Sequence, residues 1–557
     1  MQKIQQVWKG IREHVGSNFK FATINFILIV LFISGIQAVF GGENAVVAII
    51  ITTLMFMIMT RRPLKYLCIQ GAILCFMAVA ASLATVVPLP VAFFIHFFVA
   101  FVILYLHTYE CKEHLYFQYI LGYLFFLFLS PVTPEHLPKR LVCIVVSLIC
   151  MILYQWIKGK GNMVKIAREV LGGFLEEAQG CVSCLLAGEK AASDIQQLRG
   201  SLGKLSKCID QFRKKSLCIS DASFMLLEAG RSLEKLVLML NETKIPSSPE
   251  QQQVLQQISG MVSAFRGFIL QEQAEIPSLE RLEGAYGEPF GPLLSHIRKC
   301  LLEMPQPEKR RTFRKTALPV WARVKAVVNI SRVRLAYAFR VSCVLTVCIL
   351  IVQQFHLSHG KWLLFTIVSV SLPYADDVGQ KAKKRMLATV IGGLLSVLAF
   401  SLIPSPTGRM GIAMLSGYLS FYMTDYLPVF SCATIGALSG AMLMDISGWQ
   451  AVGGVVLIRL GYIVLGILIA LVCNCLILPF KRQDATHELG QRYIAATEAA
   501  LKIQKREQVD LQLYYNVVIY IHLLEDKLRQ NAAALKWEGV NDFLEHYGKR
   551  RKEHGDL

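Results

Sequence analysis

The chain has 557 residues, of which 54% are apolar and only 17% charged, with a mean hydropathy of +0.47 and a formal net charge of +19. Such a composition excludes an ordinary soluble protein of this length. No recognition helix, zinc finger or aromatic-basic strand motif accompanies the positive charge, so it points away from nucleic acid and towards the Lys/Arg excess of cytoplasmic membrane-protein loops.

Residues 1–20 are basic and roughly amphipathic, with Ile4, Val7, Trp8, Ile11 and Val15 at helical spacing. This predicts an interfacial helix lying at the membrane surface ahead of the first span. The apolar run behind it has full span length, lacks a small-residue cleavage site and leads into further apolar segments, so it reads as a span and not as a signal peptide. Transmembrane block 1 then occupies 21–157, with spans expected near 21–41, 44–60, 65–87, 90–108, 115–131 and 140–157. A polar region over 158–334 follows. Leu and Ile recur there at helical spacing through 164–186, 195–212 and 224–240, which predicts a cytoplasmic helical domain. Transmembrane block 2 occupies 335–479, with spans expected near 335–355, 361–374, 386–404, 408–425, 427–446 and 454–479. Residues 480–557 form a C-terminal cytoplasmic helical domain, with helices near 487–505, 511–533 and 537–547. The fold class expected is an all-α membrane protein of two six-helix blocks, about 12 transmembrane helices in all, with helical bundles packed together below the membrane.

The two blocks repeat one another. AVVAIIITTLMFMIMTRRPLKY in the first corresponds to KWLLFTIVSVSLPYADDVGQKAKKR in the second: an apolar helix near an outer turn, then a basic cluster. Duplicated membrane blocks are a common way to build a transporter around a central axis. Arg61, Arg62 and Lys65 follow the second span, Lys381, Lys383, Lys384 and Arg385 the eighth, and Lys481 and Arg482 the twelfth. These clusters belong on the cytoplasmic side. The opposite loops (GGEN, VPLP, HLSHG, PSPTG, SGWQ) are short and nearly uncharged. Lys139 and Arg140, after the fifth span, break the rule. An even number of spans places both termini and the middle domain in the cytoplasm, and Glu110 and Glu113 in a cytoplasmic loop.

Fifteen cysteines do not predict disulfides, because most fall in apolar helices, where a thiol is a small hydrophobe. Cys181 and Cys184 form a C-x-x-C, but no second pair completes a zinc site, and no metal is expected. No Walker A loop, HExxH or G-x-S-x-G elbow is present. The chain therefore reads as a non-enzyme without a cofactor, driven by the proton gradient or by the substrate's own gradient.

Within block 2, RLAYAFRVSCVLTVCILI carries an Arg in its first helix, and HGKWLLFTIVSVSL brings a Trp and then a Thr after a polar turn. KAKKRMLATVIGGLLSVL places an Arg before a Thr and a Gly pair, and RLGYIVLGILIALVCNCLILP is an Arg- and Gly-containing last span ending in Pro. This order and spacing resemble the fusaric-acid-resistance-like family, the aromatic acid exporters, which plant malate channels also resemble. The resemblance covers block 2 well, block 1 only in its pattern of spans, and the polar regions only in position. It implies an inner-membrane transporter for organic anions, usually dimeric, and carries over to Arg340, Trp362, Thr366, Arg385, Thr389, Gly392, Gly393 and Arg459. Pro373-Tyr374-Ala375-Asp376-Asp377 replaces the small-residue and Gln-rich stretch common after the Trp span. Block 1 lacks the Trp and the Arg-Thr-Gly-Gly string, which would leave it mainly a wall.

The residues bear on this independently. An Arg within an apolar span costs about 2.5–3.5 kcal/mol at a helix centre and needs a partner. For Arg340 and Arg459 a substrate carboxylate fits, since guanidinium binds it bidentately, and Asp425, Asp445 or backbone carbonyls are the internal alternatives. Arg385 reads as an anchor at the cytoplasmic face. Gly392-Gly393 and the Gly436–Gly440 pair suit close helix packing; a broken helix offering amide dipoles to an anion is the sharper reading of Gly392-Gly393. Trp362 is an interface aromatic or a stacking platform for an aromatic substrate. Candidates for proton coupling are Asp425, Asp445 and His359, with His356 beside the last in the outer turn. The expected partners are membrane lipid, a small organic anion, a second copy of the chain and an envelope adaptor protein, without nucleic acid. The leading function is a secondary exporter of aromatic or other organic acids; a passive anion channel and a non-transporting scaffold or sensor are the alternatives.

Overall fold

The structure, a computed structural model of the whole chain, describes residues 2–57, 64–108, 115–158, 162–191, 193, 195–211, 220–273, 275–278, 287–306, 331–403, 405–423, 425–441, 449–505 and 510–552. Arg61, Arg62, Glu110, Glu113, Asp445 and the basic run 309–315 lie outside these residues. The described residues are helical and contain no β-strand. They divide into two compact units, one of Met1–Met59, Leu64–Tyr154 and Ile330–Arg482, the other of Thr60–Pro63, Gln155–Asn329 and Gln483–Leu557.

In the first unit, block 1 comprises α1 (Gln2–Phe40), a 3-10 turn (Gly42–Asn44), α2 (Ala45–Met57), α3 (Leu64–Leu83), α4 (Leu89–His107), α5 (Tyr116–Phe128) and α6 (Leu137–Lys158). No break separates the expected surface helix from the first span: α1 runs unbroken from Gln2 to Phe40, although Ser17 and Asn18 are residue types that commonly cap a new helix. At its end Gly41 takes φ +85°, a conformation that costs glycine little. Pro88 and Pro90 open α4, where missing N–H groups do no harm.

Block 2 completes this unit with the helices α12 (Arg332–Gln354), α13 (Lys361–Val370), α14 (Ala375–Leu402), α15 (Pro406–Ser420), α16 (Tyr426–Ala441) and α17 (Trp449–Leu476), numbered in chain order. Ser331 and Ser405 cap α12 and α15 by accepting the Arg334 and Gly408 amides at 3.3 and 3.2 Å. Helix α14 begins eleven residues before the expected span, because 375–385 is its first three turns and not a loop. Asp376 and Asp377 sit in the first turn, where carboxylates suit the helix dipole.

Helices thus occupy all twelve expected positions, and among the described residues seven are long and apolar enough to cross a membrane by themselves. The ten-residue α13 and thirteen-residue α5 rise only about 15–20 Å, against a hydrocarbon core of about 30 Å. Both lie against protein: Phe125 of α5 meets Phe365 of α13 edge-on at 5.4 Å. The first helix of each block packs on the fourth helix of the other, α12 on α4 and α1 on α15. Phe97 meets Phe339 at 5.9 Å across the former seam, and Arg334 Nε donates to the Tyr105 carbonyl at the end of α4 at 3.1 Å. Across the latter, Phe26 meets Tyr418 at 5.3 Å and the Thr23 and Tyr418 hydroxyls bond at 2.9 Å. Leu345, Ile349, Leu364 and Ile367 of block 2 lie in one buried cluster with Ile51, Met77, Tyr119 and Tyr123 of block 1, so the blocks share a core.

Arg140, the exception to the charge rule, is not a loop cation. It is 2% exposed and its guanidinium donates to Asn44 Oδ1 and to the Ser130 and Glu43 carbonyls at 3.1, 2.7 and 2.8 Å. It ties the GGEN turn to the end of α5, and its charge therefore says nothing about which loop stays inside.

The second unit contains α7 (Asn162–Leu186), α8 (Ile195–Gln211), α9 (Asp221–Glu242), α10 (Pro249–Leu270), α11 (Phe290–Glu303), α18 (Arg482–Gln504), α19 (Leu511–Leu535) and α20 (Val540–Lys552). Ser220, Ser248 and Asp510 cap α9, α10 and α19. Lys207 pairs with Asp526 at 2.5 Å, and Phe224 stacks on Tyr515, which joins the middle helices to the C-terminal ones. Cys181 of the C-x-x-C pair is buried, with Ser193 Oγ at 2.9 Å.

Candidate anion-binding site

Lys381 and Arg385 stand one turn apart on α14, and Tyr426 and Phe430 one turn apart on α16. The two helices approach closely at Gly392, where an added Cβ would lie 2.7 Å from the Ser431 carbonyl oxygen and 2.8 Å from Thr434 Cβ. The two i,i+4 pairs therefore fall into register. Lys381 Nζ lies 5.4 Å from the Tyr426 ring centre and Arg385 Cζ 4.8 Å from that of Phe430. The two rings stack on each other at 4.1 Å, and Phe117 of block 1 lies 6.3 Å from Phe430.

A second cation meets this row. Arg459, on α17, is 4% exposed and holds its Cζ 5.0 Å from the Trp362 ring centre. The His359 ring stacks on the same indole at 4.6 Å and 12°. Helix α17 comes close to α13 at Gly466, where a Cβ would lie 3.0 Å from the Leu363 carbonyl and 2.9 Å from Thr366 Cβ. Arg385 and Arg459 are near enough for their charges to interact. Among the described residues no carboxylate pairs with either.

The magnitudes leave something unmet. A desolvated cation–π contact is worth about 2 kcal/mol, roughly offsetting the ~2.5–3.5 kcal/mol for an Arg at a helix centre. A cation–π contact supplies no hydrogen-bond acceptor to the guanidinium N–H groups. Nε and Nη1 of Arg459 and Nε of Arg385 are buried without a hydrogen-bond partner. Unmatched in-plane donors on a buried guanidinium suit a planar carboxylate or sulfonate.

The other expected site residues separate from this centre. Arg340 is 1% exposed and its Nη1 and Nη2 donate to the Leu478 and Leu372 carbonyls at 3.1 and 2.9 Å, which leaves Nε alone unmatched. The backbone carbonyls are the partners it takes. It belongs to a knot in which Ala375 N donates to the Phe480 carbonyl at 3.0 Å, Arg482 N donates to Asp376 Oδ2 at 2.9 Å, and Arg482 pairs with Asp377. Asp376 and Asp377 thus fasten the start of α14 to Arg482, six residues beyond the end of α17. Arg385, expected at a wet cytoplasmic face, is instead 6% exposed. The Thr366 and Thr389 hydroxyls donate to the Trp362 and Arg385 carbonyls of their own helices at 2.7 and 3.0 Å, so their protons are turned away from any ligand. Gly392 and Gly393 sit in an unbroken α14, the first against α16 and the second with its Cβ position 2.9 Å from Val456 Cγ1. No helix end opens there. The Gly436–Gly440 pair is not a close seam: a Cβ at Gly436 would be 3.6 Å from Ser416 Oγ, and one at Gly440 would meet nothing. Asp425 is exposed in the turn before α16, Asp445 lies outside the described residues, and His359 is half-buried in the outer turn.

Sequence reasoning passed over the register of Lys381 and Arg385 with Tyr426 and Phe430, although the matched four-residue spacings are visible. It also passed over His96 and His107, buried within α4 at 0% and 1% exposure, which look like ordinary members of an aromatic-rich run. His107 is engaged on both nitrogens, by the Ile103 carbonyl at 3.0 Å and the Gln70 amide at 3.1 Å.

The fold and this site define a multi-pass helical membrane protein whose second block holds a buried cationic and aromatic centre. Residues 347–473, which contain that centre but not Arg340, match the sequence model of the fusaric acid resistance protein-like family. A 114-residue stretch is 27% identical to an uncharacterized protein of Haemophilus influenzae, covering 20% of this chain and 16% of that one. A 102-residue stretch is 26% identical to the Inner membrane protein YccS of Escherichia coli, covering 18% of this chain and 14% of that one. Each match therefore spans less than a fifth of the relative's length. No solved structure matches the chain.

Proposed function

We propose that the protein is a secondary transporter that exports organic anions, aromatic acids in particular, across an inner membrane, with the anion held at Arg459 and Arg385 against Trp362 and Phe430. The carrying observation is Arg459: buried, with its Cζ 5.0 Å from an indole ring centre, two donors unmatched and, among the described residues, no carboxylate paired with it. An aromatic carboxylate would answer those donors with its carboxyl group and the neighbouring rings with its own. The family match over 347–473 and the inner-membrane relative support the same reading. Proton coupling, a cytoplasmic location for both termini and for the second unit, a homodimeric state and an envelope adaptor belong to this proposal.

The test is flux in proteoliposomes with benzoate, 4-hydroxybenzoate, phthalate and benzenesulfonate as probes. Saturable, protein-dependent movement of at least one of them is expected, lost in Arg459→Ala. Absence of flux for every probe, with and without a pH gradient, would overturn the reading.

A further inference from the structure

We infer that the His359 ring holds the place on the Trp362 indole that the ring of the transported anion takes, so that an aromatic acid enters the site by displacing it. The inference rests on the reading of Arg459 and Trp362 as the anion site, and adds the residue that sets how tightly that site binds a ring.

Trp362, in the first turn of α13, is 4% exposed. The His359 ring lies over it, with ring centres 4.6 Å apart and planes 12° from parallel. The two rings are already in contact, so no third ring fits between them. The Arg459 guanidinium carbon lies 5.0 Å from the centre of the same indole, and two of its nitrogens are unmatched. One planar acid can therefore take the imidazole's place with its ring and meet the Arg459 donors with its carboxylate. A short aliphatic acid such as acetate has nothing to stack and leaves the imidazole where it is.

The imidazole is free to leave. Among the described residues no hydrogen bond or ion pair fixes its ring. His359 is half-buried, and Phe355, His356 and Ser358 beside it are exposed, so the ring has open ground to swing into. The backbone of the turn is fastened instead. Leu357 N donates to the Val352 carbonyl at 3.1 Å, Gly360 N to the Leu357 carbonyl at 3.0 Å, and Trp362 N to the His359 carbonyl at 3.0 Å. The turn also presses on α12 so closely that a Cβ at Gly360 would lie 2.6 Å from Val352 Cγ1. Opening is thus the rotation of one side chain, and the indole stays in place beside Arg459.

A stacked aromatic pair is worth about two- to twelvefold in an equilibrium constant. The empty site is then filled by its own imidazole most of the time, and the affinity for a ring-bearing anion falls by that factor. Transport gains from this, because a substrate must be held firmly enough to enter and weakly enough to leave.

Equilibrium binding of radiolabelled benzoate to the detergent-purified full-length protein, at one neutral pH, reads this without requiring flux. His359 sits at φ +65°, a region that Asn tolerates better than most residues, so His359→Asn removes the ring and keeps the turn. His359→Phe keeps a ring on the indole. We expect His359→Asn to bind benzoate about two- to twelvefold more tightly and His359→Phe to stay within about twofold of the unaltered protein. The inhibition constant of acetate against benzoate should be equal in all three. Unchanged or weaker benzoate binding in His359→Asn overturns the inference, because the two rings would then occupy different places or the imidazole would help to hold the anion. Equal tightening in His359→Phe, or tightening of acetate along with benzoate, also overturns it, since the effect would then come from a loosened turn. If His359→Asn cannot be purified folded, His359→Gly is judged by the same rules. Benzoate binding without flux in proteoliposomes removes the transport reading and leaves the inference to the affinities, whereas absence of benzoate binding by the unaltered protein removes the anion site and the inference with it.

Discussion

Truncating Arg340 strips the Leu372 and Leu478 carbonyls of their donors, at about 1–3 kcal/mol for each buried acceptor left unmatched. Arg340→Ala is therefore expected to lower thermal stability and yield, read by melting of the detergent-purified protein. Arg459→Ala instead removes a buried charge with unmatched donors, so it should leave the melting temperature nearly unchanged while abolishing flux. The two variants separate a clamp from a ligand site, and equal loss of stability in both would contradict this division. His359 adds a pH prediction. Burial, and then the neighbouring Lys361, hold its imidazole below the ordinary range, so the unfolded chain takes up this proton before the folded protein does. Stability is then whole above about pH 6.5 and declines as pH falls from there until the folded imidazole also titrates. His359→Phe, which keeps a ring on Trp362, should flatten that acid decline in melting curves taken at neutral and mildly acidic pH.

Among the helices, the decisive seams are α14 on α16 and α13 on α17, and each is set by one glycine. A methyl group at Gly392 would collide with the Ser431 carbonyl, which cannot rotate away, so α14 and α16 would have to part. Gly392→Ala is expected to cost about 1–3 kcal/mol and to weaken flux, because the parting unseats Arg385 from Phe430. Gly440→Ala, whose methyl group meets nothing, should be neutral in both assays. A melting curve and a flux measurement on each variant decide the matter. The glycines at 392–393 and those at 436 and 440 suggested close seams equally, and only the first pair forms one. Which glycine lies under a neighbouring backbone depends on how far α14 has slid along α16, and that is a property of the pair, not of either sequence segment.

For the unit as a whole, the exchange of contacts between blocks makes each incomplete without the other. Helix α12 is covered by α4, α1 meets α15, and α13 lies against α5. Block 2 produced alone, as residues 331–482, should fail to accumulate, and coexpression with the rest of the chain should restore it, as read by protease resistance in membranes. Stable, protease-resistant block 2 by itself would show that the shared core is dispensable.

Hydropathy and period determined, without any tertiary information, that the chain is all-α, that it spans a membrane and where most of its helices lie, although the start of α14 was missed by eleven residues. Those properties follow from local composition, because lipid demands apolar length and internally satisfied backbone. Trp362, Arg385 and Arg459 were also legible as members of one motif. Only the tertiary structure decided what each buried charge does. Arg140, Arg340 and Arg459 look alike in a row of apolar residues; the first two bind backbone carbonyls outside their own helices, and the third lies over an indole with two of its nitrogens unmatched. Partner choice for a buried cation is made by whichever backbone the fold brings within about 3 Å, and no local pattern records that distance.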